Sequence, residues 1–182
     1  MDTAPLLRGE GFLLRRWHAD DAPALATAAN HPGIARWLSG RFPYPYGLAD
    51  AERFLAGQVV DFSDSVFAIV IGQRIAGGIG IHPEQAGRAE AAHSALLGYW
   101  LSPPHWGQGV MRRVVAAFAP WIMDQQRLYR LAAHVMHDNL ASAAVLRRNG
   151  FLEEGRMRRA IVKDGQLQDL RLFARTRESL PD

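Results

Sequence analysis

The chain has 182 residues, 48% hydrophobic and 21% charged, with a formal net charge of +3 and no cysteine. This length fits one domain, 1–182, with a buried core and room for a small-molecule cleft. The missing thiols exclude disulfides, thiolate zinc sites and cysteine nucleophiles.

No run approaches the roughly 20 apolar residues that a membrane span needs, and the acidic, proline-containing start Met1 to Pro5 lacks a basic-then-apolar signal pattern. A cytoplasmic protein is expected, ordered except at its ends, Met1 to Arg8 and Thr176 to Asp182. Arginines cluster locally at Arg112/Arg113, Arg147/Arg148 and Arg156/Arg158/Arg159 without forming a long basic block. That pattern favours a small anionic ligand over a polynucleotide and suggests neither nucleic acid nor membrane as partner.

In chain order, Phe12 to Trp17 reads as a first strand, and Asp20 and Asp21 open an Ala/Leu-rich helix that ends near Asn30. His31 to Gly47 is a proline- and glycine-rich loop holding Trp37, Phe42, Tyr44 and Tyr46. A helix from about Leu48 to Asp61 follows, with Phe54, Leu55 and Val59 on one side. Val66 to Ile71 and Arg74 to Ile81 form a hairpin around Gly72-Gln73. The polar loop Pro83 to Ala92 leads to a strand, Ser94 to Leu101.

After the turn at Ser102 to Gly109 comes a helix, Val110 to about Gln126, which Pro120 should kink or divide. Strand Tyr129 to Val135, helix Leu140 to Asn149 and a strand pair, Gly155 to Lys163 and Leu167 to Arg175 around Asp164-Gly165, complete the chain. This order describes a mixed α/β sheet with no internal repeat.

The turn between the strand ending at Leu101 and the helix beginning at Val110 draws attention. A strand that enters a glycine turn and then a helix collects free N–H groups and the positive end of the helix dipole, which suits a phosphate. Gly107 and Gly109 permit left-handed backbone and close approach. Arg112 and Arg113 oppose the dipole unless a polyanion sits there. By itself the glycine pair also reads as an ordinary tight turn. Arg112 occupies the third glycine position of a dinucleotide fingerprint, and no Gly-Lys-Ser/Thr ending supports a P-loop.

Four short motifs narrow the choice: Gly98-Tyr99-Trp100-Leu101, Trp106-Gly107-Gln108-Gly109, Asn139-Leu140-Ala141-Ser142 and Arg148-Asn149-Gly150-Phe151. Gly109 to Asn139 spans 30 positions and Asn139 to Gly150 spans 11. With these motifs the chain resembles the GNAT superfamily of acetyl-CoA-dependent N-acetyltransferases, and within it the Rim-type branch that acetylates ribosomal-protein N-termini. The resemblance implies an α/β (α+β) fold: a twisted, mostly antiparallel sheet of about seven strands, splayed at a central parallel pair and flanked by about four helices. It also implies acetyl-CoA as cosubstrate, with Leu101 beside the pantetheine arm. Trp106, Gly107, Gln108, Gly109, Val110, Met111 and Arg112 would form the pyrophosphate turn, and Asn139 and Ser142 would lie near the thioester.

Departures from the family pattern concern proton transfer. Trp106 stands where Gln or Arg usually opens the turn, and Met111 where Gly or Ala usually closes it. Leu146 occupies the place of a tyrosine that many members use as the thiol's acid, and Ile161 that of the branch's proposed glutamate base. Ser142 is the candidate proton donor to the thiolate, or a first-turn capping residue behind Asn139. Glu90 and His93 are base candidates, with His82 and a water relay as others.

Trp37, Tyr44 and Tyr46 fall where the family shapes its acceptor pocket. His134 and His137 lack a carboxylate pair or a cysteine, so no metal is expected. The expected activity is direct attack of a primary amine on acetyl-CoA, the amine being a protein or peptide N-terminus. Acetylation of a polyamine, antibiotic or metabolite and a non-catalytic acyl-CoA-binding module are the alternatives. A homodimer is compatible with the branch.

Overall fold

The computed structural model describes residues 6–62, 65–84 and 89–178. The chain divides into two compact units, Met1–Gly80 with Tyr99–Val110 and Ile81–Gly98 with Met111–Asp182. Together the described residues form eight strands and five α-helices. The strands are mostly antiparallel, with one parallel pair.

In the first unit, β1 (Leu7–Gly9) and β2 (Phe12–Arg15) form a hairpin with Leu7 opposite Leu14, and β2 pairs with β3 (Val66–Ile71). The next strand, β4 (Arg74–Pro83), folds back on β3. Gly72 and Gln73 take φ of 53° and 66°, so both turn residues are left-handed, as a two-residue hairpin requires. Helix α1 (Ala22–Ala29), the four-residue α2 (Pro32–Ala35) and α3 (Leu48–Leu55) occupy the connection between β2 and β3. Ala22, Leu25 and Ala29 of α1 pack with Tyr46 and Ala51, bordered by Trp17, Phe42, Phe54 and Trp100. Ser102 N–H donates to the Ala76 carbonyl at 2.7 Å. A side chain at Gly77 would strike the Trp100 carbonyl, so the bare position admits the end of the fifth strand.

In the second unit, β5 (Ser94–Leu101) begins alongside β6 (Arg130–Met136). Their parallel pairing runs through Ser94↔Arg130, Ala95↔Leu131 and Leu96↔Ala132 and goes no further, although both strands continue. From the other side β6 pairs along its whole length with β8 (Gln166–Thr176), which in turn pairs with β7 (Leu152–Lys163). Asp164 and Gly165, at φ 50° and 75°, close that last hairpin. Helix α4 (Val110–Gln125) buries Val114, Val115, Phe118, Ala119, Ile122 and Met123, a stripe at helical spacing, and α5 (Leu140–Arg147) buries Ala143 and Leu146.

Several boundaries differ from the sequence expectations. Leu7 and Arg8, expected to be disordered, pair in β1, and Thr176 closes β8; residues 1–5 and 179–182 lie outside the described residues. The helix expected to reach Asp61 stops at Leu55, because Gly57 turns left-handed at φ 76° just beyond its end. Pro120 neither ends nor divides α4. The carbonyl it leaves without a partner belongs to Ala116, which lies on the exposed face where water can serve it. No described helix is long and apolar enough to cross a membrane.

Candidate active site

The loop after Leu101 is built to hold its glycines open. A single 3-10 turn, Pro103–His105, follows Ser102, and Trp106 returns to extended backbone at φ −69°, ψ 152°. Gly107 and Gly109 then adopt φ of 73° and 69°, the left-handed region that a side chain disfavours. Around Gly107 no atom lies close enough to touch an added Cβ, so the glycine is needed for its backbone and not for space.

Two side chains brace this loop. The indole Nε1–H of Trp106 donates to the Leu101 carbonyl at 2.6 Å, and Gln108 Nε2 donates to the Pro104 carbonyl at 2.6 Å. The His31 ring meets the Trp106 indole edge-on at 5.3 Å, and Gly33 lies under that indole so closely that a side chain there would collide with it.

Trp106, Gly107, Gln108, Gly109 and Arg112 are exposed, whereas Val110 and Met111 are buried. Met111 therefore points into the core and leaves the mouth of the helix to backbone N–H groups. The first four N–H groups of a helix have no partner within it, and with the dipole they suit an anion. Arg112 adds an exposed cation beside them. Gly98, where β5 has already parted from β6, is also exposed, with open space where a Cβ would stand.

In the second unit Asn139 caps α5: its side-chain oxygen accepts from Ser142 N–H at 3.1 Å. The cap uses the backbone N–H of Ser142. Leu146 is fully buried in the core. Glu90 lies in a 3-10 turn, Ala89–Ala91, and His93 is exposed with its ring edge-on to Tyr129 at 6.0 Å. Ile161 sits in β7 opposite Gln168, at the end of a register shift that begins at Met157. Among the described residues no group of three or more His, Cys, Asp or Glu could hold a metal ion.

The three aromatics of the first loop have different surroundings. Tyr46 is core: 5% exposed and stacked on Phe42 at 4.8 Å, with burial first and then Asp50 pushing its hydroxyl up to about 12. Tyr44 is 55% exposed, and Trp37 is half-buried under the Arg36 guanidinium.

Sequence reasoning missed two arrangements. One is the network in which Glu84 accepts from Ser94 Oγ and from Arg130 Nε while Arg130 grips Glu154, fixing the start of the parallel pair. The other is the carboxamide of Asn149, which reaches the first turn of α4. Neither follows from local spacing, since the partners of Arg130 lie 46 and 24 residues away and that of Asn149 lies 37 away.

Residues 12–152 match the acetyltransferase (GNAT) domain, and the chain belongs to that family of N-acetyltransferases, whose acetyl donor is acetyl-CoA. A probable N-acetyltransferase of Bacillus subtilis is 33% identical over 84 residues, 46% of this chain and 46% of the relative. The ribosomal-protein-serine acetyltransferase of Escherichia coli is 33% identical over 86 residues, 47% of this chain and 48% of that one. These matches span about half the length of both relatives. Among solved structures, Mycobacterium smegmatis RimJ in complex with CoA-disulfide superposes with a TM-score of 0.80 at 26% identity, covering 94% of this chain and 84% of that one.

Proposed function

We propose that the chain transfers the acetyl group of acetyl-CoA to the N-terminal α-amine of a protein or peptide. The observation that carries the donor half is the turn Trp106 to Arg112: two left-handed glycines and an exposed arginine at the head of α4. In this reading the backbone N–H groups from Gly107 to Arg112 bind the pyrophosphate. By the family resemblance, Leu101 at the end of β5 would pair with the pantetheine arm, and Asn139 and Ser142 would serve the thioester end.

Direct attack needs a neutral amine and a proton for the departing thiolate. In this reading the Ser142 hydroxyl donates that proton. With Ile161 in place of a glutamate, a weak base or a water relay through Glu90 or His93 suits an amine that needs little help. An α-amine, with a pKa of about 8, is roughly one-tenth neutral at pH 7, whereas lysine at about 10.4 is less than a thousandth neutral. The ribosomal-protein acetyltransferases among its relatives support the same class of acceptor.

The test mixes protein, acetyl-CoA, and N-terminal peptides, lysine-type amines, polyamines and aminoglycosides, and follows release of the CoA thiol. Faster turnover of N-terminal peptides at saturating acetyl-CoA is expected. Preference for lysine-type or small-molecule amines would overturn the acceptor assignment. Binding of acetyl-CoA without turnover of any amine would overturn catalysis.

A further inference from the structure

Asn149 is 9% exposed, and its carboxamide nitrogen donates twice, to the Val145 carbonyl at 2.8 Å and to the Arg112 carbonyl at 3.2 Å. The first bond is local. Val145 lies in the last turn of α5, where carbonyls run out of helical partners, and the backbone N–H of Asn149 goes to Leu146 instead, at 2.9 Å. The second bond is of another kind. It crosses to the first turn of α4, where the Arg112 carbonyl already has a helical acceptor role and uses its second lone pair for Asn149.

The post from which this side chain reaches is itself fixed. Gly150 is left-handed at φ 78°, its N–H donates to Arg147 at 3.2 Å, and Phe151 N–H donates to Leu146 at 3.1 Å, which closes α5 with paired backbone bonds. Arg175 Nη1 donates to the Asn149 backbone carbonyl at 3.2 Å, a bond separate from the two that hold the carboxamide. A flipped carboxamide would set its oxygen against two carbonyl oxygens, so the hydrogen bonds fix its orientation as well.

We infer that Asn149 is a positioning residue for acetyl-CoA: by holding the peptide between Arg112 and Arg113, it sets the aim of the N–H groups that open α4 toward the pyrophosphate. The inference rests on the reading of that turn as the pyrophosphate site. It gives the asparagine of Arg148-Asn149-Gly150-Phe151 a role in donor binding, beyond closing α5.

Asn149→Ser separates the two bonds. A serine hydroxyl can still bond the carbonyl four residues back, at Val145, but is too short to reach Arg112. Asn149→Asp keeps the shape and replaces the donor with an acceptor. Arg175→Met removes a bond to the Asn149 backbone and leaves the carboxamide in place, which controls for general loosening.

Acetyl-CoA affinity by calorimetry, and kcat with KM for both substrates, are measured well below the melting temperature of each variant. Asn149→Ser is expected to raise Kd and KM for acetyl-CoA about tenfold, the effect of one lost buried hydrogen bond to a carbonyl, and Asn149→Asp, which loses both bonds, by at least as much. In both, kcat and the KM of the amine stay within about twofold of wild type, while Arg175→Met melts lower and binds acetyl-CoA normally. Asn149 variants that melt lower yet bind acetyl-CoA like wild type would overturn the inference, as would Arg175→Met weakening binding equally. If the wild-type protein does not bind acetyl-CoA, the reading of the turn fails and the inference with it. Wild-type binding with unaffected Asn149→Ser defeats the inference alone.

Discussion

The indole N–H of Trp106 ends on the carbonyl of Leu101, 2.6 Å away, and so ties the start of the glycine turn to the last residue of β5. In the proposed function those two points flank the same cofactor, Leu101 at the pantetheine and Trp106 at the pyrophosphate. Trp106→Phe keeps an aromatic ring but removes the donor, together with part of the indole that packs at His31 and Gly33. One such bond is worth about 1 kcal/mol, so acetyl-CoA should bind about fivefold more weakly while the KM of the amine is unchanged. Calorimetry on the purified variant checks this; equal affinity would mean that the turn holds its shape without the indole.

Gly107 offers a cleaner probe of the backbone. Its φ of 73° is unfavourable for any residue with a Cβ, yet the space around it is open, so Gly107→Ala introduces strain without a clash. The strain costs about 1–2 kcal/mol, to be relieved either by lower stability or by a change of turn. Gly165→Ala carries the same strain at φ 75° in the hairpin between β7 and β8, far in sequence from the turn, and serves as control. Both should melt lower, but only Gly107→Ala should weaken acetyl-CoA binding, by about tenfold.

Ser142 can be tested without removing the Asn139 cap. The cap bond runs from Ser142 N–H to Asn139 Oδ1, and an alanine supplies the same N–H. Ser142→Ala should therefore keep the Asn139 cap. Its kcat should fall about a hundredfold if the hydroxyl protonates the leaving thiolate. Asn139→Ala, in contrast, should cost about 1 kcal/mol through the lost cap. An unchanged kcat in Ser142→Ala would leave Asn139-Leu140-Ala141-Ser142 as a capping sequence only.

What could be read from the sequence was what local chemistry dictates. Strands β3 and β5 match their expected bounds because β-branched and apolar runs end at Gly72 and Ser102. Both two-residue hairpins follow from Gly72-Gln73 and Asp164-Gly165. The extra strand β1 was missed because three residues with no apolar alternation become a strand only through pairing with β2. The glycine turn was legible for the same reason as the hairpins: left-handed backbone leaves a mark in residue type. The direction a helix face points does not. Leu146, where a tyrosine serves as acid in many family members, is fully buried, so its hydrophobic identity answers the demands of this core. The reach of Asn149 to Arg112 depends on how α4 and α5 pack, which no local pattern encodes.

Glu153 accepts from Arg171 at 2.6 and 2.8 Å and from Arg147 at 2.8 Å. Arg171, then Arg147, hold its carboxyl at about 2, well below the ordinary 4.5. A carboxylate with a lowered folded-state pKa stabilises the fold above its unfolded pKa, and this contribution is lost as pH falls from about 4.5 toward about 2. Because solvent reaches the cluster, the contribution at neutral pH is about 1 kcal/mol, equivalent to a melting temperature about 2–4 °C lower in Glu153→Gln. The gap between wild type and variant should be constant above about pH 5.5 and narrow steadily from there toward pH 3, because protonated wild-type Glu153 comes to resemble the amide. Melting curves at half-unit pH intervals measure that gap. A gap that stays level down to pH 3 would show that Glu153 holds Arg171 by hydrogen bonding and shape, with its charge contributing nothing.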